Sequence, residues 1–310
     1  MSIYVDYVVT IRFQIRNFNT LTSLPILWLL SLFSYTQINH FRLCVPKFFV
    51  DVILSYSLSM ETVDEKLVDT EIAPFLLPTS RADLRAIAVQ YFLGLTGGEN
   101  GRRFLADNTD HLQLLVNVVD DVQAVVAKDA FLAIVNLATE PDIAVRILGL
   151  PSAEKLLDRL LVAALYEGRV APSIACMALS NLSRSESAAS VIAEYILRER
   201  DPDVGVKRIV DVLCRPDSEE VDYLAPFLSN LTQVASVRQQ LLDHSRVTFQ
   251  RLCPLINYAK SVTRRGGVVG AVRNCCFEAG MDQKTKYLYY RRGLTATDIL
   301  FYVHLNSLTA

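Results

Sequence analysis

Apolar residues recur at helical spacing through the central part of this chain. Between residues 156 and 165, leucines occupy positions 156, 157, 160, 161 and 165, which places them on one face of a helix. Turn-forming segments interrupt this pattern repeatedly, at 97–101, 140–142, 149–151, 201–203 and 215–217. No alternating strand pattern is sustained between residues 61 and 280. The sequence therefore predicts an all-α fold.

A short motif, an apolar run around one asparagine, repeats within this helical region. In chain order the shared position holds Gly94, Asn136, Asn181, Asn230 and Asn274. These positions are 42, 45, 49 and 44 residues apart. A period of about 40 to 47 residues is typical of armadillo and HEAT solenoids. We expect an armadillo/HEAT-like α-solenoid of about five repeats, each built from two or three helices.

The recurring asparagine needs a recurring hydrogen-bond partner. An unpaired amide buried in an apolar helix costs about 1 to 3 kcal/mol. In one interpretation Asn136, Asn181 and Asn230 line a groove and bind the backbone of an extended polypeptide, since each amide can both donate and accept. In the other, each asparagine bonds a neighbouring loop carbonyl and staples repeat to repeat. The sequence leaves both open.

The two ends of the chain differ in composition from its middle. We divide it into an atypical hydrophobic extension at 1–59, an armadillo-like repeat domain at 60–280 and an atypical tail at 281–310. The apolar run at 21–35 is shorter than the roughly 20 residues of a membrane span and contains Pro25, so a membrane role is not favoured. Met60 opens an acidic amphipathic stretch, and residues 1–59 are either a native extension or translated upstream sequence.

Charge and cysteine usage exclude some partners and compartments. Residues 61–280 contain 23 Lys plus Arg against 29 Asp plus Glu, whereas nucleic-acid binding depends on basic surfaces that contact phosphates. We expect no nucleic-acid partner. The six cysteines include no C-x-x-C pair, which favours a reducing compartment, and we expect a cytoplasmic protein.

The motifs of catalysis are missing from the sequence. His111 and His244 have neither an H-E-x-x-H arrangement nor paired cysteines around them, so no metal site is predicted. The glycine-rich segments 97–101 and 266–270 lack the Gly-Lys-Ser/Thr ending of a phosphate-binding loop. We therefore expect a protein that is not an enzyme and that uses no cofactor.

Two segments resemble a known family. Residues 264–278, Arg-Arg-Gly-Gly-Val-Val-Gly-Ala-Val-Arg-Asn-Cys-Cys-Phe-Glu, resemble the hallmark segment of the eukaryotic Hgh protein family, also called brain-protein-16-like. Residues 84–105 are similar to that family's first repeat, and the likeness spans about 65–278. The family continues beyond this point with further leucine-rich repeats, so we expect a truncated or replaced C-terminus.

The resemblance implies a function that the repeat period alone does not. It implies a cytosolic armadillo-type adaptor that helps translation elongation factor 2 to fold, together with the chaperonin TRiC and co-chaperones. The alternative is a generic armadillo scaffold in transport or ubiquitin-ligase assembly. An importin-like signal receptor is not favoured, because the position four residues before each asparagine holds no tryptophan.

A cluster around the last asparagine completes the predicted binding surface. Arg264, Arg265, Arg273 and Asn274 are predicted to contact a partner, since arginines can bind an acidic surface in bidentate geometry. The glycines at 267 and 270 would let a partner backbone approach closely. Alternatively, these glycines only permit tight packing between helices.

Overall fold

The structure is a computed structural model that describes residues 63–198, 205–215, 219–243 and 248–276. The predicted extension at 1–59, the predicted tail at 281–310 and His244 lie outside the described residues. Across the described ranges the regular structure is helical throughout, without a strand. This confirms the predicted all-α fold class.

The described chain begins with a helical turn at Glu65–Leu67, a π-helical turn at Val68–Ile72 and a 3₁₀ segment at Ala73–Leu76. The helices that follow are α1 (Ala82–Thr96), α2 (Glu99–Asp107), α3 (Thr109–Val118), α4 (Ala124–Leu137), α5 (Pro141–Leu148), α6 (Ala153–Leu165), α7 (Pro172–Leu182), α8 (Glu186–Leu197), α9 (Val206–Leu213), α10 (Leu224–Leu231), α11 (Ala235–Leu242), α12 (Thr248–Leu252) and α13 (Val262–Cys276). Short 3₁₀ segments lie at Glu219–Val221 and Cys253–Asn257.

Every third helix carries the shared motif position. These helices, α1, α4, α7, α10 and α13, pack against one another in that order along the molecule. The two helices that lie between successive motif-bearing helices form the rest of each repeat. The prediction of an armadillo/HEAT-like solenoid is confirmed, and the repeat unit has three helices.

Local sequence explains where several helices begin. Proline occupies the first position of α5 and of α7, where its missing N–H is not needed and its fixed φ suits a helix. The Asn108 side chain accepts hydrogen bonds from the first backbone amides of α3, and Ser185 does the same for α8. The apolar stripe predicted on α6 is buried, as its leucines at 156, 157, 160, 161 and 165 are at most 1% exposed.

A buried ion pair joins the first repeat to the second. Arg85 donates from Nε to Asp121 Oδ2 at 2.6 Å and from Nη1 to the Pro78 carbonyl at 3.4 Å. Burial alone would raise the pKa of Asp121, but the hydrogen bonds and charge of Arg85 together with the Gln123 backbone amide lower it. The pair joins the start of α1 to the loop between α3 and α4.

Candidate protein-binding surface

The asparagines of α4 and α7 bond the preceding repeat. Asn136 Nδ2 donates to Thr96 Oγ1 at the end of α1, over 2.9 Å. Asn181 Nδ2 donates to the Val135 carbonyl in α4, over 3.0 Å. The Arg184 guanidinium then donates to Asn181 Oδ1 at 2.8 Å. Each of these amides therefore joins one repeat to the one before it.

The next two asparagines use both of their N–H groups in the same way. Asn230 Nδ2 donates to the Ser180 carbonyl at 2.9 Å and to Ser183 Oγ at 3.2 Å. Asn274 Nδ2 lies 3.2 Å from the Ser229 carbonyl and 3.0 Å from Thr232 Oγ1. The stapling of repeat to repeat is thereby confirmed, but the acceptors are helix carbonyls and side-chain hydroxyls instead of the expected loop carbonyls.

The exposure of these side chains limits any second role. Asn136 is buried, 6% exposed, whereas Asn181, Asn230 and Asn274 are half-buried. With both donors of Asn230 and Asn274 committed, a partner backbone could reach these two only at Oδ1. Partner binding by the asparagines stays a prediction.

The structure places Arg264 inside the protein. It is 1% exposed, and its Nη2 lies 2.7 Å from Asp222 Oδ1. Its Nη1 donates to the Leu213 carbonyl at 3.2 Å, and its guanidinium lies 4.7 Å from the Tyr258 ring centroid. A partner cannot reach this side chain in the described conformation. Arg264 joins α9, the start of α10 and α13, and we correct its expected place on the binding surface accordingly.

The other two arginines of the cluster are more accessible. Arg265 is half-buried, and its Nη1 donates to the Tyr258 carbonyl over a long 3.4 Å. Arg273 is exposed beside Asn274, near the end of α13. The predicted cluster is thus divided by the helix into one interior arginine and two that partner groups can reach.

The glycines of α13 serve close packing between helices. A Cβ at Gly267 would lie 2.2 Å from the Ala225 carbonyl carbon and 2.3 Å from the Pro226 nitrogen in α10. At Gly270 it would lie 2.3 Å from Ser229 Oγ. The alternative interpretation, in which these glycines permit tight helix packing, is confirmed. This close approach lets Asn274 reach acceptors in α10.

Two residues that the sequence analysis did not single out border the ladder. Arg184 also donates to the Thr139 carbonyl at 3.1 Å, and Gln233 donates to the Arg184 and Asn230 carbonyls at 3.3 and 3.0 Å. Both stand three residues after a motif asparagine, Asn181 or Asn230. This shared three-residue spacing was the sequence signal that could have identified Arg184 and Gln233.

The floor between these polar groups is small or apolar. The positions four residues before the last four motif positions hold Leu132, Met177, Pro226 and Gly270, all of which are partly exposed.

The part of the chain that the structure describes contains no group of three or more His, Cys, Asp or Glu side chains placed to hold a metal ion. Burial raises the pKa of Cys176, Cys214 and Cys253, which keeps these thiols protonated at neutral pH.

Comparison with known sequences identifies the family. A family model described as "Domain of unknown function (DUF383)" matches residues 163–306, a range that includes most of the predicted tail. The rat "Protein HGH1 homolog" is 42% identical over 216 residues, which cover 68% of this chain and 54% of the rat protein. The human "Protein HGH1 homolog" is 40% identical over 211 residues, covering 67% and 53%. This chain belongs to the HGH1 family.

The HGH1 relatives are considerably longer than the matched region. The chain spans about half the length of the curated relatives it matches, 54% of the rat and 53% of the human protein. Their similarity confirms the resemblance to this family, and the match of the family model extends beyond the expected end near residue 278 to residue 306. No helix within the described ranges is long and apolar enough to cross a membrane.

Solved structures of similar shape are armadillo-repeat proteins. Computationally designed armadillo repeat proteins for modular peptide recognition superpose with a TM-score of 0.56 at 20% identity, covering 72% of this chain and 88% of theirs. A designed armadillo protein in complex with the peptide (KR)4 gives 0.51 at 17% identity, covering 74% and 86%. At this level of identity the likeness establishes the fold of this HGH1-family chain.

Proposed function

We propose that this chain is a non-enzymatic, cytoplasmic protein-binding adaptor that assists the folding of translation elongation factor 2 together with the chaperonin TRiC. The observation that carries the proposal is the continuous row of third helices, α1, α4, α7, α10 and α13, in a member of the HGH1 family. Such a row offers an extended surface over several repeats, which suits a client that is itself not yet compact.

The stapled ladder supports an adaptor role physically. Amides in four successive repeats bond the preceding repeat, so the relative position of neighbouring third helices is fixed before any partner arrives. A preformed surface loses less conformational entropy on binding than one that must first order itself. The chain can then hold a partially folded client without rearranging its own core.

The similar designed proteins support the broader class of protein binding. Their descriptions name peptide recognition as their purpose and, in one case, a bound basic peptide. The last three third helices lack the acidic side chains that would favour a basic peptide, since α7 and α10 carry no charged residue and α13 carries only arginines, whereas α1 carries Asp83 and α4 carries Asp129. The surface formed by α7, α10 and α13 therefore differs in charge from one that binds a basic peptide.

The test is affinity purification of the full tagged chain from eukaryotic cells, followed by mass spectrometry. We expect enrichment of elongation factor 2 and of chaperonin subunits over a tag-only control. Enrichment of transport factors or ubiquitin-ligase subunits without elongation factor 2 would overturn the proposal in favour of a generic scaffold. As a second readout, refolding of chemically denatured elongation factor 2 by chaperonin should give a higher yield when the chain is added.

A further inference from the structure

Acidic side chains are absent from the third helices of the last three described repeats. Helices α7 and α10 contain no charged residue, and α13 contains three arginines without an acidic residue. Arg184 follows α7 directly, at the end of its repeat motif. The carboxylate nearest in sequence to α10, Asp222, is already ion-paired with the buried Arg264.

This distribution runs against the charge of the molecule as a whole. Residues 61–280 contain six more acidic than basic residues, 29 against 23, and the whole chain has a net charge of −2. A polyanion is therefore not attracted by the protein in general. Affinity for a polyanion must come from a local group of cations at close range, because interactions between exposed charges more than about 8 Å apart are largely screened at physiological salt.

The contacts of the ladder run from Arg184 to the helix that carries Arg273. Arg184 bonds Asn181, and Gln233 bonds the carbonyl of Arg184. Thr232, next to Gln233, accepts from Asn274, and the exposed Arg273 precedes Asn274 in α13. We define the arginine surface as Arg184, Gln233 and Arg273 with the partly exposed floor residues Met177 and Pro226.

The dimensions of this surface suit an extended chain. Packed helices lie about 8 to 10 Å apart, so Arg184 after α7 and Arg273 in α13 are separated by two such steps, or about 20 Å. An extended polypeptide advances about 3.3 to 3.6 Å per residue, so about six residues cover that span. The small and apolar floor between the two cations leaves room for a backbone.

We propose that the arginine surface binds an extended, acidic segment of a partner protein, with carboxylates about six residues apart that meet Arg184 and Arg273. This inference rests on the proposed adaptor function and specifies which part of the surface takes the partner and what chemistry it selects. Guanidinium groups suit this role because they bind carboxylates in bidentate geometry.

Fluorescence anisotropy with the full chain provides the test. The probes are fluorescein-labelled decapeptides of glutamate, of lysine and of alternating glycine and serine. We expect the glutamate peptide to bind the chain more tightly than the other two, with an affinity that falls as salt is raised. Equal binding of the glutamate and glycine-serine peptides would overturn the proposal.

Variants then locate the site. Arg273→Gln should weaken glutamate-peptide binding about fivefold, the effect of losing one partly exposed charge pair. The double variant Arg184→Gln/Arg273→Gln should weaken it further, and thermal melting will show whether the fold is retained. The matched control is Arg159→Gln, which removes an arginine of α6 that pairs with Asp120 and should leave the affinity unchanged. An equal loss in control and test variants would refute the assignment.

Capture of elongation factor 2 separates this inference from the proposed function. If the unaltered chain captures elongation factor 2 but binds no glutamate peptide, the acidic-segment proposal is wrong and the adaptor function stands. If the glutamate peptide binds through Arg273 but elongation factor 2 is not captured, the surface is correct and the client identity is wrong.

Discussion

Replacement of Arg264 by methionine tests the division of the arginine cluster. Arg264 is 1% exposed and its guanidinium holds Asp222 and the Leu213 carbonyl. Removing one partner of a buried ion pair costs about 3 to 5 kcal/mol, because the remaining charge stays in the interior without compensation. The Asp222 side chain is 18% exposed, so some water reaches it. We therefore expect Arg264→Met to lower the free energy of unfolding by about 3 kcal/mol, the low end of that range.

Urea unfolding followed by circular dichroism measures this loss. Arg265→Met is the matched control, since Arg265 is the next residue in the same helix and makes one long bond to Tyr258. We expect the control to change the free energy of unfolding by less than about 1 kcal/mol. The double variant Arg264→Met/Asp222→Asn should recover part of the loss, because it removes the unpaired carboxylate.

The opposite result would refute the structural role. If Arg264→Met leaves the unfolding midpoint within the range of Arg265→Met, the buried pair does not hold α13 in place. If that variant also lost client capture while remaining stable, Arg264 would belong to the binding surface as the sequence first suggested. The two measurements together therefore decide between an interior and a surface role.

Three further predictions concern the ladder, the helix packing and pH. Asn230→Ala removes two hydrogen bonds between repeats and should destabilise the chain by about 1 to 3 kcal/mol in urea unfolding, with a broader transition as neighbouring repeats uncouple. Gly267→Ala should lower the melting temperature because its Cβ meets backbone at 2.2 Å, whereas Gly94→Ala, with nothing within 4 Å, should gain up to about 1 kcal/mol. The pKa of Asp121 is lowered in the fold, so its stabilising contribution is present above its unfolded pKa of about 3.9 and is lost as pH falls through the lower folded value. Asp121→Asn should therefore reduce stability at neutral pH and flatten its decline below about pH 4, as measured by urea unfolding across pH.

The solenoid was predictable because its main determinant is periodic in sequence. Each repeat must bury its apolar face against the next, so equivalent helices need equivalent residues at a nearly constant spacing. The shared positions from Gly94 to Asn274 recur every 42 to 49 residues and lie on successive stacked helices. The motif-bearing helix of each repeat could be located from this spacing, whereas the spacing left the number of helices per repeat at two or three.

The sequence did not distinguish the neighbouring Arg264 and Arg265. Successive helical residues point about 100° apart, so one of two adjacent arginines can be interior and the other half-exposed. A signal was present: Val268, Ala271 and Cys275 follow Arg264 at steps of four, seven and eleven residues, and all are 0% exposed. Its partner Asp222 could not be assigned, because it lies 42 residues away in another repeat.

The roles of the asparagines depend on a second residue that repeats with them. Two residues after the shared position stand Thr96, Ser183 and Thr232, and each accepts a hydrogen bond from the asparagine of the next repeat. The equivalent position after Asn136 holds Ala138, which has no side-chain acceptor. There Asn181 bonds only a carbonyl of the preceding repeat, and Arg184 takes its Oδ1.

The hydroxyl series therefore distinguishes stapling from partner binding. An amide that already has a side-chain and a carbonyl acceptor in its own protein offers a partner no N–H, as at Asn230 and Asn274. In the proposed partner complex, donors must then come from residues beside the ladder, and those that stand out by charge are Arg184 and Arg273. Because Arg184 bonds Asn181 and the Thr139 carbonyl where the hydroxyl is replaced by Ala138, the irregular position in the ladder is also the one that holds a half-buried cation beside the motif.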